Sequence, residues 1–122
     1  MERKILIIDD NPQDRKIMTR FLNRAGFTRI ATAENGAEGV KKVGEEKPDL
    51  VILDTMLPDM LGFEVCSRIR EKHGPDAPKI IMTTGAVDAV DALKARQAGA
   101  NDYCVKTSDC SPLLSAVENL YK

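Results

Sequence analysis

Three apolar runs constrain the fold of this chain more than any other feature. They are ILII at 5–8, LVIL at 50–53 and IIM at 80–82, and polar residues follow each of them directly. Short continuous runs rich in Ile and bounded by turn signals are typical of strands that are buried on both faces of a sheet. Because segments with helical spacing separate these runs, the sequence predicts a doubly wound α/β domain with parallel strands and right-handed crossovers.

The other predicted elements complete an alternating series. We predict strands in KILII, at Arg29 to Ala33, at Leu50 to Leu53, in KIIMTTG and in DYCVK. We predict helices from Asn11-Pro12 to Gly26, from Asn35-Gly36 to about Glu46, from the loop with Pro58 and Gly62 to Gly74, from about Val87 to Ala98, and from Ser111-Pro112 onward. These boundaries rest on N-cap residues, first-turn prolines and terminal glycines. No repeat or linker interrupts the series, so we predict one domain over residues 1–122.

Composition favours a soluble globular protein and excludes several classes of partner. The chain is 43% hydrophobic and 30% charged, and its net charge of -1 offers no general attraction to nucleic acid or to an anionic membrane. Only four apolar residues follow the N-terminal MERK, too few for a signal peptide or a membrane span, so we expect a cytoplasmic protein. Cys66, Cys104 and Cys110 lack CxxC spacing, and we expect them to be reduced thiols.

Polar residues stand at the ends of four predicted strands, where parallel strands share one edge of the sheet. They are Asp9, Asp10, Asp54, Thr83, Thr84 and Lys106. Each alone has an ordinary explanation, since Asp caps helices, Thr suits strands and a terminal Lys is usually solvated. Together, three carboxylates in one crevice repel one another, and a hard cation such as Mg²⁺ relieves that repulsion. The sequence therefore predicts a metal and phosphoryl site at this edge.

Four segments together resemble the CheY-like receiver domains of bacterial two-component response regulators, over essentially the whole chain. They are IIDDNP, VILDTMLPDMLG, IIMTTGA and GANDYCVK. They are similar to the family's acidic pair, its phosphoacceptor strand and loop, its Thr-bearing strand and its Lys segment. Thr84 and Lys106 follow Asp54 by 30 and 52 positions, in keeping with the family pattern. The resemblance implies a flavodoxin-like domain with a five-stranded parallel sheet of order 2-1-3-4-5 and five helices.

The resemblance also implies how the acidic residues act. Asp54 would be the phosphoacceptor, taking a phosphoryl group from a histidine of a sensor kinase or from a phosphotransfer protein. Asp10 would bind Mg²⁺ directly and Asp9 largely through water. Asp54 and the backbone carbonyl of Met56 would complete the protein's share of the coordination. The ion would neutralise phosphoryl oxygens during the transfer.

By the same resemblance, two side chains contact the phosphoryl group and a third responds to it. Lys106 would pair with the acceptor carboxylate before transfer and with a phosphoryl oxygen afterwards. The Thr84 hydroxyl would bond to another phosphoryl oxygen, and its movement would let the aromatic ring of Tyr103 turn inward. The face formed by the fourth helix, fifth strand and fifth helix would then change toward a downstream protein target or a C-terminal effector domain.

Some positions differ from the family pattern, and others are expected to influence how long the phosphorylated form lasts. By the resemblance, Met56 and Ala86 would flank the phosphoryl group, and because neither side chain can orient a water, we expect a long-lived phosphorylated form. Thr107 stands where the family usually has Pro after the Lys, and we expect a trans bond before it. Gly85 and Leu61 also differ from the usual residues, and none of the three changes removes a reacting group.

Other functions explain fewer of these residues. An interaction module that works without phosphorylation is the alternative, but such a module does not need three acids together with Thr84 and Lys106. A hydrolase of the aspartyl-phosphate type requires an acid two residues after the nucleophile, where Met56 stands. The nucleotide-binding motifs GxxxxGK(S/T) and GxGxxG are absent. We therefore predict a signalling protein, not a classical enzyme, that catalyses its own phosphoryl transfer and slow dephosphorylation.

Overall fold

The computed structural model describes residues 2–86 and 88–121, in which five strands and five helices alternate. The strands are β1 Lys4–Ile8, β2 Arg29–Ala33, β3 Leu50–Asp54, β4 Lys79–Thr84 and β5 Asp102–Val105. The helices are α1 Pro12–Arg24, α2 Gly36–Glu46, α3 Gly62–His73, α4 Ala89–Ala98 and α5 Ser111–Leu120. No helix in these ranges is long and apolar enough to cross a membrane.

The strands form one parallel sheet in the order β2-β1-β3-β4-β5, which confirms the predicted doubly wound topology. Alternate strand residues point to opposite faces. One face packs against α2, α3 and α4, and the other packs against α1 and α5. Because helices cover both faces, residues 5–8 of β1 and 50–53 of β3 are fully buried, and this burial explains their continuous apolar runs.

Helix starts follow the local capping chemistry. The side chain of Asn11 accepts hydrogen bonds from the N–H groups of Gln13 and Asp14, so α1 begins at Pro12 as predicted. Helix α4 begins at Ala89, two residues after the predicted start at about Val87, because the Asp88 side chain caps it. Val87 itself lies outside the described residues.

The loop between β3 and α3 is held by contacts at Asp59 and at Gly62. The Asp59 carboxylate accepts hydrogen bonds from the backbone N–H groups of Gly36 at 2.7 Å and Ala37 at 2.9 Å, at the start of α2. Gly62 packs so closely on the end of β3 that a Cβ atom there would lie 2.2 Å from the carbonyl oxygen of Asp54. This close approach requires glycine, and it holds the loop beside the strand end.

The three cysteines are buried and form no disulfide with one another, which agrees with the expectation of reduced thiols. Burial raises the pKa of the Cys66 thiol to about 11 and that of Cys104 to about 12. Both thiols are therefore protonated at neutral pH, and they serve as core packing.

Candidate functional site

The ends of β1 and β3 bring three carboxylates together. Asp9 follows β1 and is fully buried, Asp54 is the last residue of β3, and Asp10 is exposed at the rim. One carboxylate oxygen from each residue lies within 4.8 Å of the other two. The strands are neighbours in the sheet, so their carboxyl ends meet at the edge where such sheets bind ligands.

Lys106 supplies the positive charge of the site. It follows β5, and its backbone N–H donates to the Thr84 carbonyl at 2.7 Å. Its Nζ atom donates to Asp14 Oδ2 at 2.8 Å and to Asp54 Oδ2 at 3.2 Å. Asp9 Oδ2 lies 2.7 Å from the same Nζ atom, as an ion pair. The ammonium group thus contacts three carboxylates at once.

One oxygen of Asp9 is left without a hydrogen bond. Asp9 Oδ1 accepts from the backbone N–H of Asn11 at 2.9 Å, whereas the buried Asp9 Oδ2 has no hydrogen-bond donor in the described part of the chain. Its nearest cation is the Lys106 ammonium group, whose Nζ atom lies 2.7 Å away. A buried, partly uncompensated carboxylate oxygen beside two further carboxylates fits a hard cation such as Mg²⁺, which is held by a few carboxylates plus water.

Burial and these contacts shift the pKa of Asp54 and that of Lys106. Burial raises the pKa of Asp54, the neighbouring Asp9 charge raises it further, and Lys106 opposes both effects. Burial alone would lower the pKa of Lys106, but the hydrogen bond to Asp14 and the adjacent Asp9 and Asp54 carboxylates raise it above its ordinary value. Lys106 is therefore a cation at neutral pH, as the three carboxylates around it require.

Thr84 and Tyr103 lie on the side of the site toward β4 and β5. Thr84 is buried at the end of β4, and its hydroxyl donates to the backbone carbonyl of Ala86 at 3.1 Å. Tyr103 packs against the core beneath α2, α3 and α4, and its hydroxyl is buried without a hydrogen-bond partner among the described residues. The Thr84 hydroxyl thus forms a hydrogen bond within the loop between β4 and α4.

Met56 and Ala86 form the open rim of the site. Met56 is 70% exposed, and its backbone N–H donates to Asp54 Oδ1 at 3.4 Å. Met56 also pairs through an isolated antiparallel bridge with Leu61, whose side chain is exposed. The peptide bond between Lys106 and Thr107 is trans, as predicted, since Ala77-Pro78 is the sole cis bond within 2–86 and 88–121.

Asp14 is absent from the predicted set, yet it makes the shorter of the two hydrogen bonds from Lys106. It lies in the first turn of α1, which begins at the same edge of the sheet as the site. Its sequence signal is weak, because acidic residues are common in first turns, where they favour the helix dipole.

Known proteins with similar sequences belong to one family. The sequence profile of the response regulator receiver domain matches residues 5–118. Transcriptional regulatory protein AfsQ1 of Streptomyces coelicolor is 42% identical over 102 residues, which are 84% of this chain and 44% of AfsQ1. Protein PilH of Pseudomonas aeruginosa is 32% identical over 114 residues, which are 93% of each chain.

A solved structure has the same fold. Response regulator protein TrrA of Thermotoga maritima, in complex with Mg²⁺-BeF, is 36% identical and has a TM-score of 0.86 over 98% of this chain and 99% of TrrA. The chain belongs to the family of response regulator receiver domains, which are signalling modules of two-component systems. It spans about half the length, or less, of the transcriptional regulators it matches.

Proposed function

We propose that this chain is a phosphorylation-dependent switch in which Asp54 accepts a phosphoryl group from a histidine kinase or a phosphotransfer protein. The observation that carries this proposal is the setting of Asp54. Its carboxylate ends a buried strand, pairs with Lys106 at 3.2 Å, and lies beside a buried Asp9 oxygen that has no hydrogen-bond donor in the described chain. That setting suits a nucleophile that gains negative charge when it reacts.

In the proposed transfer, an Asp54 carboxylate oxygen bonds to phosphorus as the bond from phosphorus to the donor histidine nitrogen breaks. The product is an acyl phosphate on Asp54, and the histidine keeps the electron pair of the broken bond. Asp10, Asp9, Asp54 and the backbone carbonyl of Met56 would hold Mg²⁺, which when bound neutralises phosphoryl oxygens. Positioning and charge stabilisation, rather than proton transfer, would account for most of the catalysis.

Two side chains would change partners when the phosphoryl group arrives. Lys106 would move its hydrogen bond from Asp54 to a phosphoryl oxygen while it stays beside Asp54. Thr84 would release the Ala86 carbonyl, to which it now donates at 3.1 Å, and would donate to a second phosphoryl oxygen. Since Ala86 lies in the loop between β4 and α4, this exchange would displace the start of α4.

The displacement would reach the surface formed by α4, β5 and α5. Tyr103 on β5 would move with Thr84, because β4 and β5 are paired and Tyr103 lies opposite Met82, two residues before Thr84. Val90 and Leu93 are exposed apolar side chains of α4, 61% and 57% exposed, and they suit a protein partner. The partner would be a downstream protein or an effector domain of a longer chain.

Intact-mass measurement with a small acyl phosphate and Mg²⁺ tests the phosphoacceptor. The unaltered chain should gain one alkali-labile phosphoryl group, and Asp54→Asn should gain none. Asp76→Asn, which alters an exposed acid in the loop after α3, should gain the group as the unaltered chain does. Full phosphorylation of Asp54→Asn would assign the acceptor elsewhere, and no phosphorylation of any variant would favour a module that works without it.

A further inference from the structure

The guanidinium group of Arg15 holds the backbone at the end of β1. Its Nη1 atom donates a hydrogen bond to the backbone carbonyl of Asp9 at 2.7 Å, and its Nη2 atom donates to Glu34 Oε1 at 3.3 Å. The Arg15 side chain is 15% exposed, whereas the Glu34 side chain is 69% exposed. The bond to the Asp9 carbonyl is therefore the shorter of the two and the better shielded from solvent.

The N–H groups of the following turn are not available to the Asp9 carbonyl. The N–H of Asn11 donates to the Asp9 side chain at 2.9 Å. The N–H groups of residues 13 and 14 both donate to the Asn11 side chain, and Pro12 has no N–H group. Arg15, in the first turns of α1, thus provides a donor that the local backbone does not provide.

This carbonyl belongs to the peptide group that joins Asp9 to Asp10. A peptide group is planar, so a hydrogen bond that fixes its oxygen also fixes the direction in which the chain enters Asp10. Asp9 and Asp10 each contribute an oxygen to the group of three carboxylates with Asp54. Because Asp10 is exposed, packing restricts its side chain little, and the direction of its carboxylate depends largely on its backbone.

We propose that Arg15 is a positioning residue, which fixes the peptide between Asp9 and Asp10 and so holds the Asp10 carboxylate in place for Mg²⁺. The inference rests on the proposed function, since it assumes that Mg²⁺ binds among Asp9, Asp10 and Asp54. A positive charge near a cation site weakens binding by repulsion. The positioning role and the charge of Arg15 therefore have opposite effects on the affinity for Mg²⁺, and variants that separate them test the proposal.

Calorimetric titration of the full chain with Mg²⁺ measures this affinity. Arg15→Lys keeps the charge, but its side chain is shorter and lacks the planar pair of donors that reaches the carbonyl and Glu34 together. It should raise the Kd for Mg²⁺ about fivefold or more, since groups that orient metal ligands typically contribute about tenfold or more to metal affinity. Arg15→Gln, which removes the charge, should also raise the Kd.

Two control variants separate the carbonyl bond from the ion pair. Arg68→Lys is the matched control, because Arg68 pairs with Glu64 at 3.1 Å but donates to no backbone carbonyl in the described chain. Glu34→Gln removes the ion pair of Arg15 and leaves its bond to Asp9. Both variants should change the Kd by less than about twofold, since exposed charges are screened.

A second measurement needs no metal. In the metal-free chain, the backbone carbonyl ¹³C resonance of Asp9 should move upfield in Arg15→Lys and Arg15→Gln, as the oxygen loses its hydrogen bond, and should not move in Arg68→Lys. An unmoved resonance, a Kd that is unchanged or lower in either Arg15 variant, or an equal rise in either control overturns the inference. In these cases the proposed function stands if the unaltered chain binds Mg²⁺. If it binds none, both proposals fail.

Discussion

The two sides of the site differ in how firmly their side chains are held. On one side, Asp9 is fully buried, Asp54 is 9% exposed, and both lie against Lys106. On the other side, Met56 and Ala86 are exposed, and neither has a side chain that orients water. Under the proposed function, the side with Asp9, Asp54 and Lys106, the paired side, determines whether a phosphoryl group is accepted. The side with Met56 and Ala86, the open rim, determines how long the group remains.

Removal of the Lys106 charge should have the largest effect on the side of the site that contains Asp9 and Asp54. Lys106→Met leaves the buried Asp9 carboxylate uncompensated, and the free energy of unfolding of the metal-free chain should fall by about 3 kcal/mol. Mg²⁺ should restore part of this loss. Under the proposed function Lys106 organises the site but is not the nucleophile, so some phosphorylation should remain, without the change at the surface of α4, β5 and α5.

Urea unfolding with and without Mg²⁺ measures the stability change. Lys72→Met is the control, because Lys72 is an exposed residue of α3. If Lys106→Met is as stable as the control, the carboxylates do not depend on this cation. If its α4, β5 and α5 surface responds to phosphorylation normally, Lys106 does not couple the site to that surface.

Polar residues at the open rim should shorten the life of the phosphorylated form. The double variant Met56→Asn, Ala86→Glu introduces groups that can orient the attacking water, and phosphate release should accelerate about tenfold or more. The measurement is phosphate release from the isolated phosphoprotein with Mg²⁺ present. The double variant Met56→Leu, Ala86→Val is a control that adds no polar group. Equal or slower release from the polar variant would show that the rim does not set the lifetime.

The smallest effect is expected at Asp10, the exposed member of the acidic group. Asp10→Asn removes one of three repelling charges, so the metal-free chain should gain about 0.5 to 1 kcal/mol of stability. The same change should abolish the rise in melting temperature caused by Mg²⁺. Asp76→Asn should alter neither property. A melting temperature of metal-free Asp10→Asn that is unchanged or lower would contradict mutual repulsion among these acids.

The fold and most members of the site follow from local sequence patterns. Continuous apolar runs predict buried strands, and parallel strands must end at one edge, so Asp9, Asp54 and Lys106 are brought together by topology alone. Caps such as Asn11 predict helix starts because they act within three residues.

Features that depend on three-dimensional side-chain direction could not be predicted in this way. Asp14 has the sequence signature of any first-turn acid, and its contact with Lys106 joins residues 92 positions apart. The hydrogen bond from Thr84 to the Ala86 carbonyl depends on the path of one loop. The start of α4 shifts to Ala89 because the Asp88 side chain satisfies the first N–H groups, whereas the apolar pattern alone extends to Val87.

Under the proposed function, a phosphoryl group on Asp54 changes the surface formed by α4, β5 and α5. Amide NMR of the ¹⁵N-labelled chain tests it most directly, with Mg²⁺ and beryllofluoride as the stand-in for the phosphoryl group. Signals of Thr84, Ala86, Tyr103 and the residues of α4 should shift when both are added, and should stay unshifted with Mg²⁺ alone or in Asp54→Asn. If the α4 signals do not move, or if they move equally in Asp54→Asn, a phosphoryl group on Asp54 does not control this surface.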